Sequence, residues 1–102
     1  MNTSIAIGER DLAIVREILA AHLPCAAKVW VFGSRARGTA KIAADLDLAI
    51  DAHRPLTRSE SGRLADAFEE SDLPYGVDVV DMQTVSAAFR AIIERDRTRL
   101  GD

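Results

Sequence analysis

A chain of 102 residues has room for one compact domain with a thin core, and the one expected here spans residues 1–102. Its residues are 48% hydrophobic and 28% charged, an ordinary soluble globular composition, and a net charge of −3 supplies no global basic field to draw it to nucleic acid. The single cysteine, Cys25, excludes an intrachain disulfide and a thiolate metal cluster, and sits in the apolar segment LPCAAKVWVF as a candidate buried thiol.

The N-terminal stretch MNTSIAIGERD lacks the basic start and long apolar run of a signal peptide. No later segment approaches the roughly 20 apolar residues of a spanning helix, so a cytoplasmic location without membrane contact is expected. From Gly8 to His22 the apolar residues Leu12, Val15, Ile18 and Leu19 recur at helical spacing, and Pro24 stops the helix. His22 stands where a histidine can interact with the last carbonyls. Val29 to Phe32 is a continuous apolar run, which reads as a strand covered on both faces, with Trp30 in the core. The glycine-serine turn that follows leads through a long turn to Leu46–Asp51, which alternates cleanly. Leu46, Leu48 and Ile50 point one way; Asp45, Asp47, Ala49 and Asp51 point the other.

After the loop at His53-Arg54-Pro55, a helix is expected from Arg58 to Ser71, with Thr57 and Glu60 able to form a capping box. Leu64, Ala65 and Phe68 supply its buried stripe. Val77 to Asp81 is a third strand. Thr84 to Arg97 is a last helix, where Val85, Ala88, Phe89, Ile92 and Ile93 give offsets of 0, 3, 4, 7 and 8, a regular amphipathic face. The charged tail ERDRTRLGD reads as a frayed helix end or a partner contact. The fold class implied is α/β, with a small mixed or antiparallel sheet covered by helices on at least one face.

Three aspartates on one strand face repel one another unless a cation or base offsets them. Asp45 and Asp47, at i and i+2, can share metal ions, and Mg²⁺ favours carboxylate and phosphate oxygens. A third carboxylate from a neighbouring strand would complete a two-ion clamp, and Asp78 is the candidate. Asp51 and Asp81 read as surface or helix-approach residues. Gly33 lets the backbone approach a phosphate closely, and Ser34 can donate to a phosphate oxygen. Arg35 and Arg37 offer positive forks beside them, and Gly38 ends the turn. No GxxxxGK[ST] loop, GxGxxG turn or EF-hand loop is present, and His53 has no spaced partner for zinc.

The combination of strand, Gly-Ser, ten intervening residues, Asp-x-Asp and a later strand aspartate carries a resemblance. GSRARGTAKIAADLDLAID is similar to the signature of the nucleotidyltransferase superfamily related to DNA polymerase beta. It looks most like the minimal prokaryotic members, which are often encoded beside a small helical HEPN-domain protein. The resemblance covers nearly the whole chain. Gly33 and Ser34 fall on the family's glycine-serine pair, Asp45 and Asp47 on its metal aspartates, and Asp78, within YGVDVVD, on its late strand aspartate. Family members often place serine just before the first metal aspartate, where this chain has Ala44.

The resemblance implies transfer of AMP from ATP, with two Mg²⁺ ions, to a hydroxyl acceptor. In paired systems the HEPN protein resembles a toxic ribonuclease, and the nucleotidyltransferase acts as its antitoxin by adenylylating a tyrosine, which implies a hetero-oligomer. Two alternatives stand beside it. One is a non-catalytic antitoxin that blocks the toxin by binding. The other is an enzyme acting on a small molecule or RNA end, although such relatives usually carry an acceptor domain that this chain lacks.

Overall fold

A computed structural model describes residues 7–24, 26–37 and 44–100. Cys25 and Gly38 lie outside the described residues, as do the expectations placed on them. In chain order the elements are α1 (Glu9–His22), β1 (Lys28–Phe32), α2 (Ser34–Arg37), β2 (Leu46–Asp51), α3 (Arg58–Glu69), β3 (Val77–Asp81), α4 (Ala87–Asp96) and β4 (Thr98–Arg99). The sheet is mixed and its strand order is β3-β2-β1-β4. β1 runs antiparallel to β2 and β4, and β2 runs parallel to β3.

Alternation along the inner strands sorts their side chains onto two faces. On one face Val29, Val31, Leu46, Leu48 and Ile50 meet Val15 and Leu19 of α1 and Leu64 and Phe68 of α3 in the main core. On the other, Phe32 and Ala49 meet Met82, which follows β3, and Ile93 of α4. β1 is therefore covered on both sides, as its unbroken apolar run requires. Among the described residues, no helix is long and apolar enough to cross a membrane.

The helix boundaries follow local chemistry. Gly8 caps α1, and the Leu23 backbone N–H closes its end on the Leu19 carbonyl. Both halves of the α3 capping box form: Thr57 Oγ1 accepts from the Glu60 backbone at 3.0 Å, and Glu60 Oε1 accepts from the Thr57 backbone at 2.8 Å. Ala65 differs from expectation by facing outward, while Leu64 and Phe68 carry the packing of α3.

Three elements depart from the sequence reading. The long turn after β1 opens with a helical turn, α2. The last helix starts later than Thr84, because Ser86 caps it by accepting the Phe89 backbone N–H at 3.1 Å. Of its apolar face only Ile93 is fully buried, leaving Phe89 38% and Ile92 48% exposed. Ile93 points into the apolar patch of the sheet, whereas Phe89 meets it only through an edge-to-face contact with Phe32, the ring centroids 6.0 Å apart. The charged tail, finally, does not simply fray. Thr98 and Arg99 pair with Val31 and Trp30, and the Leu100 backbone donates to the Val29 carbonyl at 2.9 Å. The Leu100 side chain is buried, so an apolar anchor fixes a polar edge strand.

Candidate active site

The strand register decides which aspartates meet. In the parallel β2–β3 ladder Asp47 stands opposite Asp78, one residue beyond Leu46 opposite Val77. Neighbouring strands lie about 4.8 Å apart, so Asp47 and Asp78 are adjacent on one face. On its other side Asp47 is opposite Phe32, the last residue of β1. Gly33 follows with φ of +76°, and a Cβ there would stand 2.3 Å from Asp47 Oδ2. Only a residue without a side chain lets the chain turn this closely over the carboxylate.

Asp45 lies just before β2, beside Gly76 at the start of β3. A Cβ on Gly76 would come within 3.1 Å of Asp45 Oδ1. The Leu46 backbone N–H donates to the Gly76 carbonyl at 2.9 Å, which locks the two segments together there. Asp45, Asp47 and Asp78 thus gather at one end of the sheet face that α4 leaves uncovered. Asp45 and Asp78 are exposed and Asp47 is half-buried. Among the described residues, no three His, Cys, Asp or Glu side chains form a ready-made metal cluster. The arrangement is a close pair with a third carboxylate beside it, bordered by two glycines. All donors are hard carboxylate oxygens, the type that suits Mg²⁺.

Ser34 opens α2 directly after Gly33. Arg37 closes it, with a side chain outside the described part of the structure. Arg35 differs from the sequence expectation. Its guanidinium is not spread toward solvent beside the turn; the residue is 6% exposed. Nε and Nη2 donate to the Ala44 carbonyl at 3.1 and 2.7 Å, and Cζ lies 3.9 Å above the centre of the Tyr75 ring. A helical turn swings this side chain inward, which an open turn would not do. The Tyr75 hydroxyl donates to Asp11 Oδ2 of α1 at 3.1 Å. Burial, then the Asp11 hydrogen bond and charge, push the Tyr75 hydroxyl up to about 12. Sequence reading left Tyr75 and Asp11 unassigned, and no spacing rule connects positions so far apart in the chain.

Residues 14–100 match the family model described as polymerase beta, nucleotidyltransferase. The chain belongs to that family. It is 48% identical over 89 residues to a Haemophilus influenzae protein named a probable protein adenylyltransferase MntA, covering 87% of this chain and 77% of that one. Its fold is similar to that of a toxin-antitoxin crystallised with AMP-PNP, with a TM-score of 0.76 at 24% identity, covering 89% of this chain and 73% of that one. A structure of a tri-AMPylated Shewanella oneidensis HEPN toxin with an MNT antitoxin aligns at a TM-score of 0.68 and 21% identity, covering 88% of this chain and 68% of that one.

The two remaining aspartates on β2 and β3 of this nucleotidyltransferase fold are engaged in structure. Asp51 Oδ1 accepts from the His53 backbone and from Gln83 Nε2, both at 2.8 Å. The His53 N–H, helped by the Gln83 amide, holds the Asp51 carboxyl below its usual range against the opposing effect of burial. Asp81 accepts from the Leu56 backbone at 2.8 Å and from the Gln83 backbone at 2.9 Å. Both tie loops to the sheet, in keeping with their reading as surface and helix-approach residues. Trp30 is half-buried, with the Arg97 and Arg99 guanidiniums 4.1 and 5.8 Å from its ring centre.

Proposed function

We propose that this nucleotidyltransferase moves AMP from ATP to a hydroxyl, a tyrosine of a helical HEPN-type toxin encoded beside it, and so acts as an antitoxin. The observation that carries the reading is the in-register pairing of Asp47 with Asp78 beneath the turn at Gly33. The similarity to a protein named for adenylyl transfer to protein supports the substrate class.

Asp45, Asp47 and Asp78 hold two Mg²⁺ ions in this reading. Bound divalent ions supply charge neutralisation for the triphosphate and Lewis acidity at the reacting phosphorus. Gly33 gives the phosphates room to approach the backbone, and Ser34 donates to the β- and γ-phosphates. Arg37 is the remaining candidate for the charge that grows on pyrophosphate, since Arg35 is engaged with Ala44 and Tyr75. The acceptor oxygen attacks the α-phosphorus, a new P–O bond forms, and the bond to the bridging oxygen breaks to release pyrophosphate. Asp78, on the edge strand and exposed, takes the acceptor proton. Catalysis is then mainly positioning and electrostatics. The acceptor is supplied by a second protein.

The test is transfer from ATP labelled at the α-phosphate, with Mg²⁺, by the protein together with its genetically adjacent partner. Label is expected on the partner and is expected to disappear in Asp47→Asn. Full labelling by a folded Asp47→Asn protein would overturn the site. A second reading, neutralisation by binding alone, is favoured by the exposed Phe89 and Ile92 on α4. Under that reading, Asp47→Asn would still neutralise the toxin.

A further inference from the structure

We infer that Arg35 is a positioning residue that fixes Asp45 for cation binding, not a ligand of the phosphates. This rests on the reading of Asp45 as a metal ligand.

Asp45 is held between two backbone segments, and Arg35 grips both. Through Nε and Nη2 it holds the carbonyl of Ala44, the residue just before Asp45. Through its flat face it lies on Tyr75, the residue just before Gly76. Gly76 in turn borders the Asp45 carboxylate and accepts from the Leu46 backbone. The guanidinium therefore closes a clamp across the start of β2 and β3, with Asp45 at its mouth. Tyr75 cannot swing away, because its hydroxyl is tied to Asp11 on α1.

Electrostatics agree with geometry. An arginine that is 6% exposed as a whole needs compensation for lost hydration. A carbonyl accepting two N–H bonds and an aromatic face supply part of it. Arg35 also explains how Ala44 is tolerated beside the first aspartate. The backbone carbonyl, not the side chain, is the contact made at that position. Lysine cannot reproduce the clamp, since it lacks both the planar face and the two-nitrogen fork.

The test measures Mn²⁺ binding by electron paramagnetic resonance, with a non-transferable ATP analogue present, on the full chain and its Arg35→Lys, Asp45→Asn and double variants. Residues that orient metal ligands typically change affinity by 10–100-fold, so Arg35→Lys is expected to weaken Mn²⁺ roughly tenfold. Affinity for the analogue without metal should stay the same. In the Asp45→Asn background the Arg35→Lys change should add nothing, because its effect passes through Asp45. If Arg35→Lys does not fold, Tyr75→Leu removes the ring platform and should give the same Mn²⁺ loss. Tyr75→Phe keeps the ring and should retain most of the affinity. Unchanged Mn²⁺ affinity in Arg35→Lys, or a loss fully additive with Asp45→Asn, would overturn the clamp. So would a loss of metal-free analogue affinity, which marks a phosphate ligand. Unchanged Mn²⁺ affinity in Asp45→Asn alone would instead overturn the site reading beneath it.

Discussion

Replacing Gly33 with alanine separates two consequences that share one atom. The added Cβ would stand 2.3 Å from Asp47 Oδ2 and 3.3 Å from its Cγ. Comfortable contacts begin near 3.5 Å, so the carboxylate oxygen must retreat by about 1 Å. The residue must also keep φ near +76°, which costs a side-chain-bearing residue roughly 1–2 kcal/mol. Urea unfolding should therefore show a loss of about that size. Transfer should fall much further, because a 1 Å misplacement at a reaction centre can cost about 100-fold, equivalent to about 2.7 kcal/mol of barrier. Gly62→Ala provides the control. A Cβ at Gly62 in α3 meets nothing within 4 Å, and alanine should stabilise that helix by about 1 kcal/mol with transfer unchanged. A Gly33→Ala protein that loses the expected stability yet transfers AMP within about threefold of its parent would refute the argument. The position of Asp47 would then not depend on the turn above it.

The remaining predictions use other parts of the structure. Tyr75 is the chain's only tyrosine, so ultraviolet absorbance reads it alone. Tyrosinate should appear only near pH 12, and earlier in Asp11→Asn, because the Asp11 carboxylate helps raise the hydroxyl's pKa. Titration near 10 in the intact protein would contradict its burial. The raised value also means that this group's contribution to stability is full below about 10 and lost as pH climbs to about 12. Glu60 has the opposite sign. The Arg54 guanidinium, then the Thr57 backbone N–H, hold its carboxyl down to about 2. Its contribution is present above its ordinary value of 4.5 and fades as pH falls toward 2. Glu60→Gln should flatten the acid limb of a urea-midpoint profile over that window; an unaltered limb would show the pair to be inert. Leu48 is fully buried at the centre of the sheet, so Leu48→Ala should cost about 2–5 kcal/mol in denaturant unfolding.

The fold was legible wherever a single periodicity ruled. β2 and β3 fall on the expected residues because alternation or an apolar run bounded by turns leaves no competing solution. The Thr57–Glu60 box marked the start of α3 because capping chemistry is local. What failed was long-range. Nothing in TRL announces that Thr98 and Arg99 will pair with β1, since a two-residue strand has no period to read. The apolar stripe on α4 was correctly seen as amphipathic, but periodicity states only that a face exists. How much of it is covered depends on what the sheet offers, and Phe89 finds there one edge-to-face contact with Phe32.

The candidate site divides along the same line. Asp45 and Asp47 share a face by the two-residue repeat alone, whatever their neighbours do. Asp78 joins them only because β3 runs parallel to β2 in a register that places it opposite Asp47. A slip of one residue would turn Asp78 toward the core face and Val79 toward the aspartates. That alternative buries a carboxylate against Leu46 and Leu48 and exposes a valine, so the hydrophobic pattern of VDVVD selects the observed register. The register was therefore encoded, though only once the partner strand is known. Arg35 was not encoded in this way. Beside a glycine-serine turn an arginine reads as a phosphate fork. Its inward course depends on α2 forming and on the Tyr75 ring, brought by the segment before β3, lying under it. An arginine that the sequence sets beside a glycine-serine turn is thus carried inward by the fold, onto the Ala44 carbonyl and the Tyr75 ring; if it is the proposed strut for Asp45, the charge that meets a triphosphate has to come from elsewhere.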